Sequence, residues 1–420
     1  MDTQNNVNAE KDILTRDDMP SPQQLSQFRN ELQEELSRIL DFWQQYTPDT
    51  EFGGFYGKLD NLNTICPAAP KGSVLNSRIL WAFSAAYNLT GNEEYHQTAQ
   101  TAFDYIIEHF IDKKYGGVYW SVDHKGDPCD TKKQIYALAF AIYGLAEYYK
   151  STNTDRAKEM AIELYHLIVE HSYDVINGGY MEALSRDWRG TEDLRLSEKD
   201  ANEKKSMNTH LHALEGFTNL YRVWPNEDLY KRIIELITIF LDHIIDKKSS
   251  HLGLFFDEGW TLRSNIVSYG HDIEAAWLIA ESAEITGDSR IIGQVETQSI
   301  NLANAAAEGL DNDGGLWYEY DADKSHLVKE KHSWPQAEAM IGFFNAWQIT
   351  GDKSYFERSL ESWQFVKAHI LDALNGEWFW GVTETYAVMD EDKVGIWKCP
   401  YHNSRACIEL IRRINKAGIN

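Results

Sequence analysis

A short glycine-plus-aromatic segment recurs six times along the chain: GGFYG at 53, GGVYW at 116, GGYME at 178, GLFFD at 253, GGLWY at 314 and GEWFW at 376. The successive intervals are 63, 62, 75, 61 and 62 residues. A fixed period of this size signals a stack of one supersecondary unit, because a single unit cannot bury its own apolar face. Each interval holds two stretches with apolar residues at i, i+3, i+4 and i+7, as in KKQIYALAFAIYGLAEYYKST from 132 and DRAKEMAIELYHLIVEHSYD from 155, which is the helical period. Between them lie tight turns such as TGNEE at 90, TGDSR at 286 and TGDKS at 350, where glycine ends one helix and Asn or Asp caps the next. Twelve helices in six hairpins are expected to close into an all-α, double-layered toroid, an (α/α)6 barrel. An open solenoid would need polar capping repeats, and none is visible. The expected organisation is a disordered tail over 1–21 and a single barrel domain over 22–420. The long third interval contains SRDWRGTEDLRLSEKDANEKKS, residues 185–206, which reads as a charged loop over the barrel mouth.

Composition removes several classes of function. The formal charge of −25 repels phosphate backbones and anionic lipid, so neither nucleic acid nor a membrane surface is an expected partner. No apolar run reaches the length of a membrane helix, and the N-terminal residues lack the pattern of a signal peptide. Cys66, Cys129, Cys399 and Cys407 form no C-x-x-C pair and read as reduced thiols of a cytoplasmic protein.

Three histidines stand at helix starts that would face the mouth. In MNTHLHALEGFTNLYRVW, His212 and Glu215 are spaced i, i+3, with Asn208 as the expected N-cap. In SYGHDIEAAWLIAESAE, His271 and Glu274 repeat that spacing, so Glu274 is expected to fix the tautomer of His271; Asp272 reads as a helix-terminus carboxylate. In GIWKCPYHNSRACIEL, His402 precedes a helix expected to begin near Asn403 or Ser404. Arg78 falls early in an otherwise apolar helix and demands a buried carboxylate or a ligand. Taken singly, each has a plain reading as a cap, a core histidine or an ion pair. No two of these histidines share the i, i+4 spacing of a zinc-binding helix, so no metal is expected. No dinucleotide or phosphate-binding glycine loop is present, so no cofactor is expected.

An aromatic mouth with histidines on different hairpins suits a sugar whose C2 proton is removed and returned. A neutral imidazole can take a proton alpha to the open-chain aldehyde if the enediolate is stabilised. With side-chain pKa values near ~6.5, paired histidines would work in either direction. Delivery of the proton to the opposite face of C2 gives an epimer; delivery to C1 gives a ketose. Asp200, Glu274 and Glu338 keep a glycoside hydrolase open as an alternative, and an aromatic toroid that only binds carbohydrate is the non-enzymatic one.

MNTHLHALEGFTNLYRVW, SYGHDIEAAWL, WPQAEAMIGFFNAW and WKCPYHNSRACIE, in this order and covering the chain from about residue 22, resemble the cellobiose 2-epimerases of the N-acylglucosamine 2-epimerase superfamily. The resemblance implies an (α/α)6 barrel that epimerises the reducing-end glucose of β-1,4-linked disaccharides; no cofactor is called for, and a monomer or weak homodimer is expected. It implies His271 and His402 as the acid/base pair, His212 as a third histidine for ring opening and positioning, and Glu274 as support for the first. It further implies Arg78 at the C1 and C2 oxygens, Tyr136, Asp200 and Asn208 in the pocket, and Trp334 and Trp397 holding the sugars. Ser333 stands where a second aromatic residue is expected.

Overall fold

The computed structural model describes residues 20–416; all but two residues of the expected N-terminal tail therefore lie outside the described residues. The first helix, α1 (Pro22–Tyr46), starts at a capping box in which Ser21 and Gln24 exchange side-chain and backbone hydrogen bonds. There follow α2 (Ser73–Thr90) and α3 (Glu93–Tyr105), α4 (Ile135–Thr152) and α5 (Asp155–Ser172), α6 (Met207–Val223) and α7 (Glu227–Ile239), α8 (Tyr269–Thr286) and α9 (Ser289–Ala306), α10 (Ser333–Thr350) and α11 (Lys353–Phe365), and finally α12 (His402–Lys416).

The even-numbered helices form the inner wall. Their order is closed: α2 packs on α4, α4 on α6, α6 on α8, α8 on α10, α10 on α12, and α12 back on α2. Helices such as α2, α4 and α10 are buried on every side over most of their length, as a helix enclosed by neighbours must be. The outer helices α3, α5, α7, α9 and α11 bury one stripe each, the amphipathic pattern of a covering layer. Only five hairpins are continuous in sequence. The sixth is assembled from the two ends of the chain, α1 lying against α12, so the N-terminal helix covers the C-terminal one and closes the ring.

At one rim the chain makes short antiparallel strands of two or three residues, and four of the inner helices, α2, α4, α6 and α10, are each preceded by such a two-residue strand. The repeated segments make one bridge each: Pro48 to Phe55, Ile111 to Val118, Tyr173 to Tyr180, Ile245 to Leu252, Leu310 to Leu316 and Leu371 to Trp378. This corrects the register of the fourth copy. Asp246 and Ser250 exchange the same backbone bond as Asp174 and Gly178, so Ser250, with φ 64°, takes the place of the first glycine, three residues before Gly253. In five repeats the aspartate that opens this turn is paired with a buried lysine: Asp49 with Lys71 at 2.7 Å, Asp112 with Lys133 at 3.1 Å, Asp174 with Lys205 at 2.8 Å, Asp311 with Lys331 at 2.8 Å and Asp372 with Lys393 at 2.6 Å.

The fourth residue of an inner helix fastens the turn from the other side. His210 Nε2 accepts from the Tyr180 amide, Asp272 Oδ1 from the Leu252 amide, and Gln336 Oε1 from the Leu316 amide. Asp272 is thus a turn anchor and not a free helix-terminus charge. The lysine clamps are buried ion pairs, whose loss on one side leaves the other charge without compensation. Lys71→Met is expected to destabilise the fold by ~3–5 kcal/mol, read as a lower urea midpoint with an unchanged slope.

Candidate active site

The inner helices begin at the strand-bearing rim, so their N-terminal ends converge on the mouth with their positive dipole ends inward. Arg78, Phe140, His212, Glu274 and Glu338 are each the sixth residue of their helix, which sets them at one depth around the ring. All five are buried.

One side of this layer is basic and unpaired. Arg78 donates to the Tyr136 hydroxyl at 2.8 Å and lies 3.8 Å from Cys399 Sγ. Its guanidinium carbon is 4.1 Å from the centre of the Phe140 ring and 4.5 Å from that of Tyr401. Its Nε has no partner, and no carboxylate pairs with it among the described residues. The rim carboxylate that a buried arginine would be expected to recruit is not there; aromatic faces hold the cation instead.

The other side is acidic and organised by Arg405, the fourth residue of α12. Its Nη2 donates to Glu274 Oε1 at 2.7 Å and to Glu338 Oε1 at 2.6 Å, and its Nη1 to Glu215 Oε1 at 2.5 Å. Tyr401 adds its hydroxyl to both oxygens of Glu215, at 2.6 and 2.7 Å. The histidines hang from this cluster. His212 Nδ1 meets Glu215 Oε2 at 2.8 Å, and His402 Nδ1 meets Glu338 Oε1 at 2.6 Å; a carboxylate at Nδ1 leaves Nε2 free for a substrate. His271 is different. Its Nδ1 bonds the Ser268 hydroxyl at 2.8 Å, and Glu274, expected to serve it, points to Arg405 and comes within 3.9 Å of His402 Nδ1 instead. The i, i+3 contact formed by His212 and Glu215 is therefore not repeated on α8: the Ser268 side chain, which does not cap the helix backbone, takes the imidazole.

Burial dominates the protonation states. It pulls His271 down to about 3, with a smaller contribution from His212, and pulls His402 well below its usual value, helped by Arg78 and Arg405. His212 is lowered by burial as well, against the pull of Glu215. The three imidazoles are neutral at neutral pH, rather than poised near 6.5 as their sequence suggests. Burial and the charge of Glu338 push Glu274 up to about 8, and burial raises Glu338 too. Glu215 feels the same burial but is drawn down to about 2 by Arg405 and His212.

The remaining expected residues fall into two groups. Trp334 contacts both candidate acid/base rings, 4.7 Å from His271 and 5.6 Å from His402 between centroids. Tyr136 packs edge-on against His212 at 5.0 Å and against Trp397 at 6.0 Å, and Trp397 also meets Trp120 at 5.6 Å. Asn208 is not the N-cap; Ser206 is, accepting from the Thr209 amide at 3.1 Å, and Asn208 Oδ1 is buried with no partner. Asp200 sits in the 185–206 loop, half-buried, accepting from the Ser197 amide at 2.9 Å. That loop is pinned over the start of α4 by Gln134, which donates to Leu194 and Arg195 carbonyls at 3.3 and 2.8 Å.

Glu274, Glu338 and His402 present ligating atoms within 4.8 Å of one another. The oxygens that would bind a cation are those to which Arg405 already donates, so a guanidinium supplies the positive charge at that point. The same geometry sets Glu274 and Glu338 side by side on one arginine, which does not suit two carboxyls acting on either flank of a glycosidic bond.

Residues 54–406 match the family described as N-acylglucosamine 2-epimerase (GlcNAc 2-epimerase). The chain belongs to this family. It is 48% identical over 385 residues to a cellobiose 2-epimerase of Bacteroides fragilis, covering 91% of this chain and 98% of that one. A cellobiose 2-epimerase of Dictyoglomus turgidum is 37% identical over 392 residues, covering 93% and 100%. Among solved structures, the cellobiose 2-epimerase of Bacillus thermoamylovorans superposes with a TM-score of 0.89 at 39% identity, over 92% of this chain and 100% of that chain.

Within this epimerase-family fold, sequence reasoning missed Arg405, Tyr401 and Ser268, and saw Glu338 only as a hydrolase carboxylate. One signal was available: reading the inner helices position by position brings Arg78, His212, Glu274 and Glu338 into one register. Nothing comparable marks Arg405, whose helix reads as an amphipathic surface element. Glu338→Gln keeps the shape but removes the anion at His402 Nδ1; turnover is expected to fall on the order of 10²–10⁴-fold with an unchanged circular dichroism spectrum.

Proposed function

We propose that the protein inverts C2 of the reducing-end glucose of β-1,4-linked disaccharides, converting cellobiose to glucosyl-mannose and lactose to epilactose, without a cofactor. The observation that carries this reading is the shared contact of two half-buried imidazoles, His271 and His402, with one tryptophan, beside an arginine that has no carboxylate partner among the described residues. The relatives named above as cellobiose 2-epimerases support the choice of substrate.

The steps follow from the surroundings of each group. With the sugar in its open-chain form, one imidazole takes the C2 proton through Nε2, and the electron pair passes to the C1 carbonyl as an enediolate. Arg78, the Tyr136 hydroxyl and the inward helix dipoles are placed to hold that charge. The second imidazole then returns a proton to the opposite face of C2 and the aldehyde is regenerated. The reaction needs one neutral and one protonated imidazole, so one of the two, both neutral in the free protein, takes up a proton for turnover. His402, with the Glu338 carboxylate at Nδ1 to stabilise the imidazolium, is suited to be that one; His271, with only a hydroxyl there, is suited to be the neutral base. In the reverse direction the roles exchange. His212 serves ring opening and orientation, and Trp334 and Trp397 offer flat faces to the sugars. The free state of Cys66, Cys129, Cys399 and Cys407 fits a cytoplasmic setting, and we take the protein as a monomer or weak homodimer. Among the described residues no helix is long and apolar enough to cross a membrane.

Product formed from cellobiose in D2O is expected to carry deuterium at C2, seen as loss of the H2 signal in proton NMR; retention of full protium there rules out this proton transfer. His271→Ala and His402→Ala are each expected to lower kcat roughly 10²–10⁴-fold while melting as cooperatively as the parent. Chromatography that found fructose-type products in place of mannose-type ones would reassign the same histidines to an aldose–ketose isomerase.

A further inference from the structure

The fourth repeat departs from the others at the clamp that joins turn to inner helix. The position two residues before the helix, occupied by Lys71, Lys133, Lys205 and Lys331 ahead of α2, α4, α6 and α10, is Val267 ahead of α8. Asp246, the turn aspartate of this repeat, caps only the amides and hydroxyl of its own turn, at Lys248 and Ser249. The charges are instead exchanged between the two sides. His251 stands where the other turns have Gly54, Gly117, Gly179 and Gly315, and its Nδ1 meets Oδ2 of the fully buried Asp272 at 2.7 Å. Asp272 spends its other oxygen on the Leu252 amide at 2.9 Å. The groups facing His251 are Asp272 and Tyr269 from α8, the latter edge-on at 6.1 Å, and Glu308 from the end of the α9 segment, 3.5 Å from Nε2. Lys248 and Asp246 belong to the same turn.

We propose that His251 is a positioning residue for the reaction: through Asp272 it fixes the first turn of α8, and so the imidazole of His271. The proposal rests on the role given to His271 above. Among the described residues the other inner helices with this clamp are held by lysine; α8 is held by an imidazole, the side chain whose charge ordinarily changes nearest neutral pH. Burial works against the charge of His251, but Asp272 and Glu308 outweigh it and raise its pKa above the ordinary value. The stabilisation from the charged pair is therefore complete below about pH 6.5, down to the acid range where Asp272, itself raised by burial, takes up a proton, and is lost as pH rises through the raised value of His251, where Asp272 remains buried beside a neutral ring.

The test compares parent and His251→Gln, which keeps a hydrogen-bond donor and removes the charge, between pH 6 and 9. Both melting temperature and epimerisation of cellobiose are followed, as ratios, so that the titrations of Glu274 and the other histidines cancel. At pH 6 the parent is expected to melt higher and to have a kcat roughly 10-fold greater with KM little changed, and the two curves are expected to merge toward pH 9. His251→Lys, a permanent cation like that of the other repeats, is expected to hold the parent's low-pH plateau at alkaline pH. Curves for parent and His251→Gln that superpose or stay parallel across the range overturn the clamp, whether or not the lysine variant folds. If no sugar is epimerised, the reading of His271 fails, and the melting curves alone still decide whether the clamp exists.

Discussion

Arg405 is the interaction on which the rest of the site depends. It is fully buried on α12 and reaches carboxylates from α6, α8 and α10, so one guanidinium ties together four of the six inner helices. A buried arginine is costly without close, well-directed acceptors, and three buried carboxylates are costly without a cation among them. Each needs the other. The cluster holds more acid than base, and the excess is resolved unevenly: Glu215, with Arg405, His212 and Tyr401 around it, keeps its charge easily, whereas Glu274 is pushed up to about 8 by burial and by Glu338. The histidines inherit their orientation from this sorting. Glu215 sets His212 and Glu338 sets His402, each through Nδ1.

That arrangement requires the ring to be closed by the chain ends. His402 and Arg405 lie in the first turn of α12, whose outer cover comes from the other end of the barrel's sequence. Its cover is α1, more than three hundred residues earlier, fastened by Trp378 donating to Glu35 at 2.7 Å and by Trp363 donating to Glu31 at 2.7 Å. The first helix is thus remote from His402 in sequence and yet part of what fixes it: Trp43 donates to Glu377 at 2.5 Å, and Asn403, next to His402, donates to the same carboxylate.

Much of this was legible in the sequence for a simple reason: six copies of one unit repeat the same constraints, so turn glycines, helix caps and apolar periods reinforce each other. The copy that broke the pattern was misread, because Gly253 with its following aromatic residues imitates the motif while Ser250 and His251 carry the backbone bonds. Glu274 was misassigned for a related reason. An i, i+3 spacing brings two side chains to one face of a helix, but it does not say which of several partners wins; on α8 the arginine wins Glu274 and Ser268 wins His271. Arg405 could not be found from local pattern at all, since its three partners come from three distant repeats. The lowered pKa values of the histidines were equally invisible, because desolvation is a property of the closed barrel and not of any segment.

The two arginines divide the labour of charge in the pocket. Arg405 is engaged through both Nη groups, whose acceptors are three carboxylates and Tyr401; only its Nε lacks a partner, and its charge is already met by anions. Arg78 is the opposite, a buried cation whose field is met only by a phenol, a thiol and π faces. Aromatic faces offset the cost of burying a guanidinium only in part, so an anion formed beside Arg78 relieves a cost that the fold itself imposes. A neutral aldose brings no such anion, but its enediolate does. The relief is therefore larger in the transition state than in the ground state, which is the condition for lowering a barrier instead of merely tightening binding.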